Sequence, residues 1–248
     1  MRNKQSRLSR ALTSHSTAVA APGLVVWLLL NLLLVREANA QGTITFNNYV
    51  NGLHTHIYAP LPNSPTTMQV GNGANDLPAG TTSWAGWTLI GAYGFSGRWG
   101  GATTLAELLG APGLNVPESS LLPASSGGIT SFHTGAGAGL VFLTTATFGN
   151  ILPDYAGGGT FEMVVWDNSS GLYPTWAYAL VAWENGLTSA ATTGPFNIAA
   201  TIGGTQTTSP TFPSTAFQSF NIYLLPEPST FALLGLGAGA LMIARRRR

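Results

Sequence analysis

The sequence predicts an all-β protein: a single β-sandwich, for which a jelly roll is one form, carrying one short helix. Three observations carry this expectation. Apolar stretches are short, several alternate with polar residues, and they are separated by turn-forming segments in a chain of 248 residues with 31 Gly and 15 Pro. Hydrophobic residues make up 45% and aromatic residues 10%, enough to build a core. Cysteine is absent, which excludes disulfides, a thiol nucleophile and a thiolate metal site, so stability must come from burial and strand pairing.

Taken in order, strands are expected over 43–49, 53–59, 66–70, 84–93, 140–148, 160–166, 176–183, 196–202 and 217–225. Alternation is clearest late in the chain. Phe161, Met163 and Val165 share one strand face, as do Phe220, Ile222 and Leu224. Over 176–183 the bulky Trp176, Tyr178 and Leu180 would share one face and Ala177, Ala179 and Val181 the other. Asp167-Asn168-Ser169-Ser170-Gly171 is rich in turn formers and predicts a hairpin. The helix is expected from Thr104, where Thr104-Leu105-Ala106-Glu107 fits a capping box. Leu105, Leu108 and Leu109 would line one side, with Gly110 and Pro112 as stops. From 110 to 128 a long loop is expected. No repeat or second domain is evident.

Charge is segregated to the ends. Between Gln41 and Leu225, a body of 185 residues, Arg98 is the only Lys or Arg, against seven carboxylates: Asp76, Glu107, Glu118, Asp154, Glu162, Asp167 and Glu184. One cation against seven anions gives the body a formal charge of −6, although the whole chain is +1. Gripping nucleic acid or anionic lipid needs clustered cations. Neither partner is expected for the body.

The two ends read as addresses. Arg2, Lys4, Arg7 and Arg10, an apolar stretch over 23–35, and Ala38-Asn39-Ala40 form the three parts of a secretory signal peptide, residues 1–40. Passage through the secretion translocon and cleavage after Ala40 are expected. At the other end, Pro226-Glu227-Pro228 favours extended backbone. Residues 231–244 follow without a charge and as a helix would span about 21 Å. A bilayer core is about 30 Å thick, so insertion would be transient. Arg245, Arg246, Arg247 and Arg248 would stop the segment and hold it on the cytoplasmic side.

Pro-Glu-Pro, a short apolar helix and a terminal arginine cluster, in that order, resemble the PEP-CTERM sorting signal of Gram-negative bacteria over residues 226–248. The resemblance implies processing by an exosortase, a membrane-embedded cysteine enzyme that recognises the Pro-Glu-Pro region. It also implies delivery to the cell surface or the extracellular space, in a host that makes exopolysaccharide and builds biofilm. It implies nothing about the activity of residues 41–225.

For that body the sequence favours a non-enzymatic, structural or adhesive role in an exopolysaccharide matrix. A carbohydrate-binding module is the alternative, and a polysaccharide-active enzyme stands behind it. Trp84, Trp87 and Trp99, in a Gly-rich segment, are the candidate glycan contacts, because flat indole faces stack on sugar rings. Trp166, Trp176 and Trp183 fall in apolar stretches and are expected in the core. Glu162, Asp167 and Glu184 are the carboxylates that an acid–base pair would draw on. His54-Thr55-His56 puts two imidazoles on one strand face, with His133 as a conceivable third ligand. The pattern is similar to the His-x-His of cupins, yet no Glu follows at short spacing. No metal and no cofactor are expected.

Overall fold

The computed structural model describes residues 41–50, 52–212 and 217–226. Ala38, Ala40, Glu227, Pro228, the apolar run 231–244 and Arg245 to Arg248 lie outside the described residues. The described body is mostly strand with one α-helix, an all-β protein as predicted. Its strands are β1 (Gly42–Phe46), β2 (Tyr49–Val50), β3 (Leu53–His54), β4 (Ile57–Tyr58), β5 (Thr104–Pro112), β6 (Leu122–Pro123), β7 (Ile129–Ser131), β8 (Thr144–Phe148) and β9 (Gly159–Asp167). After the helix α1 (Trp176–Glu184) come β10 (Ala190–Thr192), β11 (Phe196–Ile198), β12 (Thr211–Phe212) and β13 (Phe220–Asn221).

The spine is the antiparallel pair β5 and β9, matched over nine residues from Thr104 opposite Asp167 to Pro112 opposite Gly159. β10 and β11 pair with the far edge of β9, and β6 and β7 with the far edge of β5. A smaller sheet runs β12, β1, β8, with β1 and β12 parallel. Two-stranded pairings join β13 to β4 in parallel and β2 to β3 antiparallel.

Alternation along β9 decides where the core sits. Phe161, Met163 and Val165 point into the main cluster with Ile44 and Phe46 of β1 and Ala146 and Phe148 of β8, so the two sheets share one interior. Val164 and Trp166 point the other way, into a second cluster completed by Trp176, Ala179 and Trp183 of α1. The large sheet is thus buried on both faces. Gly110 is required by this packing: a Cβ there would lie 2.6 Å from the Phe161 ring and 2.9 Å from that of Phe148. At that distance one of the rings would have to move.

Two elements differ from expectation, and they differ in opposite senses. The helix expected at Thr104 is β5, hydrogen-bonded on both edges. Ala106 and Leu108 face the main core while Leu109 faces the second cluster. A strand buried on both faces carries apolar residues without alternation, so its pattern does not separate it from a helix. Conversely, the strand expected over 176–183 is α1, whose buried residues Trp176, Ala179 and Trp183 follow helical spacing. Its end is a Schellman motif: Gly186, at φ 69°, donates to Trp183 O and Leu187 to Ala182 O.

Smaller differences follow. Asn168 to Gly171 form a turn that feeds α1 instead of a hairpin, and β9 gets its next neighbour only at β10. Residues 66–70 and 84–93 form turns joined to the sheets by isolated bridges such as Val70 with Phe220 and Tyr58 with Leu89. The expected 110–128 loop contains a 3-10 turn over Glu118–Ser120 as well as β6.

Candidate functional site

The segment leading into β4 carries the two neighbouring histidines. Thr55 is buried, which turns His54 and His56 to the same side, with ring centroids 4.4 Å apart. His56 Nδ1 lies 2.5 Å from Asp76 Oδ1. The other carboxylate oxygen of Asp76 accepts from the Gly73 amide. Burial pushes the Asp76 carboxyl upward, but the hydrogen bonds from His56, Gly73 and Ser219 outweigh it and hold the group below the usual carboxylate range. Burial, reinforced by His56, lowers the His54 imidazole, whose Nε2 is enclosed without a hydrogen-bond partner.

The Trp84 segment lies directly against β4. Ala59 donates to Thr88 O and Ile90 to Ile57 O, which lays residues 84–90 beside β4. Trp84 then stacks flat on Tyr58, with centroids 4.0 Å apart and planes 4° from parallel, and its Nε1 donates to Gly71 O. Trp87 meets Trp84 edge-on at 5.4 Å. Burial, with the Asp76 charge adding to it, pushes the Tyr58 phenol up to about 12, so it remains a neutral donor. Tyr58, Trp84 and Trp87 line a groove of about 450 Å³ together with Asp76 and the neutral polar Asn75 and Thr82. An aromatic wall edged by amides, hydroxyls and a carboxylate offers both stacking and hydrogen bonding to a ring of hydroxyls.

Trp99 does not join this groove. It packs against the main core at φ 60°, 5.5 Å from Tyr93, with the Arg98 guanidinium 4.6 Å above its ring. Trp166, Trp176 and Trp183 are in the second cluster. His133 packs on Phe142 at 3.8 Å, and among the described residues no three His, Asp or Glu side chains converge as metal ligands.

The carboxylates are redistributed too. Of Glu162, Asp167 and Glu184, only Glu162 lines the large cleft between α1 and the large sheet, where it is joined by Glu107 and Glu118. Asp167 accepts from the Ser169 amide and lies 3.8 Å from Arg98. Asp154 is engaged by the amides of Thr205, Gln206 and Thr207 and both threonine hydroxyls, which staple the 205–207 loop. Glu107 was missed because the capping-box reading put it on a helix. The second carboxylate that accompanies Glu162 sits on its neighbouring strand, a juxtaposition that only the β5–β9 register creates.

The body ends beside α1: Trp183 Nε1 donates to Tyr223 O, and Leu225 packs against the second cluster. From Leu225 to the C-terminus, residues 225–248 match the family described as the PEP-CTERM protein-sorting motif. Residues 225–248 are a PEP-CTERM sorting motif. Such a motif implies export, sorting at the membrane and processing by exosortase. The match covers the C-terminal tail alone. Comparison with curated proteins and with solved structures returned no match. Among the described residues no helix is long and apolar enough to cross a membrane.

Proposed function

We propose that this is a cell-surface or extracellular-matrix protein whose non-enzymatic body adheres to exopolysaccharide. In this reading residues 1–40 are a cleaved signal peptide, 41–225 a single β-sandwich and 231–244 a transient membrane helix stopped by Arg245 to Arg248. Exosortase acts near Pro226, Glu227 and Pro228. The sandwich assignment draws support from the interior that the two sheets share.

The observation that carries the adhesive role is the Tyr58–Trp84–Trp87 wall over a groove edged by Asn75, Asp76 and Thr82. Aromatic faces contribute dispersion and CH–π contact to a pyranose, while neutral and anionic groups accept and donate to its hydroxyls. A body with one cation has no comparable means of holding an anionic polymer by charge. Trp99, packed on the core and covered by Arg98, is left out of the binding set.

The test is an equilibrium isotherm of the folded body against the host's extracellular polysaccharide. Saturable binding that Trp87→Ala abolishes supports the reading. A flat isotherm from folded protein overturns it and leaves a structural or protein-binding role.

A further inference from the structure

The cleft between α1 and the large sheet has a volume of about 950 Å³, within the range of small-molecule sites, about 300–1,000 Å³. Its walls are apolar, with Leu109, Leu121, Ile129 and Leu180 among them. Its polar lining is three carboxylates, Glu107, Glu118 and Glu162, with the hydroxyls of Ser119 and Thr175. Glu107 and Glu162 lie on the same face of adjacent strands, since Glu162 is opposite Leu109 and Glu107 is two residues before it. Both are nearly inaccessible, at 4% and 1%, while Glu118 stands exposed beside them on its 3-10 turn.

The two buried groups differ in how they are satisfied. Glu107 accepts from the Trp176 amide at 2.9 Å. Glu162 Oε1 has no hydrogen-bond partner and the side chain lines the cleft. A buried acceptor without a partner costs stability unless something supplies a donor. Arg98, the single cation of residues 41–225, is engaged with Trp99 and Asp167, so the body offers Glu162 no cation of its own.

We infer that this cleft is a binding site for a small organic cation, an ammonium group on an apolar body, with Glu162 as its principal anchor. The ammonium gives Glu162 Oε1 the donor it lacks, with Glu118 adding charge at the mouth. The leucines and Trp176 take the apolar part. The inference does not depend on the glycan groove, which lies on other elements and has its own lining residues.

The groups facing Glu162 give the site a pH signature. Burial pushes Glu162 up to about 7; the Thr192 hydroxyl opposes this, Glu118 adds to it, and the Gly194 amide opposes it. Glu107, on the neighbouring strand, is raised by burial against the pull of the Trp176 amide. A cation therefore binds better as Glu162 ionises, whereas a neutral ligand held by its protonated form would bind worse.

The test is calorimetric titration of the full chain, in non-ionic detergent, with benzylamine and separately with benzyl alcohol. The expected result is saturable benzylamine binding that tightens roughly tenfold between about pH 6 and about pH 8, with the alcohol weaker at both. Glu162→Gln should remove the pH dependence and weaken benzylamine at least about tenfold. Glu118→Lys, a change at an exposed position that leaves the core alone, should weaken it as well. No saturable amine binding, equal binding of amine and alcohol, or undiminished binding by both variants overturns the inference.

Discussion

The backbone amide of Trp176 donates to the carboxylate of Glu107, 69 positions earlier in the chain, at 2.9 Å. Trp176 opens α1, and the residue before it, Thr175, makes no side-chain capping bond. A strand of the central sheet therefore caps the helix that covers it, satisfying one of the amides that every helix start leaves open.

Glu107→Ala should destabilise the fold by about 1–3 kcal/mol through loss of this cap and of a buried acceptor. Glu107→Gln keeps an acceptor oxygen and should cost less. Denaturant midpoints for the two variants, with far-ultraviolet circular dichroism to follow α1, check the order.

Glu162 has its folded pKa raised to about 7 from an ordinary 4.5. Its contribution to stability is therefore fully present below the ordinary value and lost as pH rises through the folded one. Unliganded protein should lose about 1–2 kcal/mol over that interval, and Glu162→Gln should flatten the slope. Thermal melts across the interval measure it.

Asp76 behaves in the opposite sense. Its folded pKa is depressed, so the stability from its bonds to His56 and Gly73 is present above the ordinary carboxylate value and lost as pH falls through the lower folded one. Asp76→Ala should cost about 2–4 kcal/mol at neutral pH, because it leaves buried donors without an acceptor. It should also release Trp84, with a red shift in tryptophan emission as the readout.

The three early tryptophans should separate by phenotype. Trp87→Ala is expected to lose polysaccharide binding with the fold intact. Trp84→Ala should lose binding and also cost about 1–3 kcal/mol, since Trp84 stacks on Tyr58 and donates to Gly71 O. Trp99→Ala should destabilise by a similar amount and bind normally. Binding isotherms paired with melts distinguish these outcomes.

Gly110→Ala tests the packing between the sheets. Its new Cβ would sit 2.6 Å from the Phe161 ring, and overpacking of this kind costs about 1–3 kcal/mol. A variant as stable as the parent would show that Phe161 can shift without loss.

Much of the fold was legible, and the errors have one cause. Phe161, Met163 and Val165 announced one face of β9 because Thr160 and Glu162 interrupt the other, which Val164 and Trp166 bury as well. β5 offered no such break: Leu105, Leu108 and Leu109 satisfy a helix stripe and also two buried strand faces. In α1, large and small residues alternate as they would along a strand, although Asn185-Gly186 is a helix stop signal. Local preference over nine residues is weak, and packing on both sides overrode it.

The sequence by itself determined the sorting motif, the charge of the body, the absence of disulfides and the all-β class. Each of these depends on composition or on neighbours along the chain. The tertiary structure alone decided which side chains meet. Tyr58 finds Trp84 because residues 84–90 run beside β4, and Glu107 finds Glu162 and Trp176 because β5 pairs with β9 in one register. Contacts of that span are set by which chain segments pair, and a one-residue slip would turn every one of those side chains to the other face.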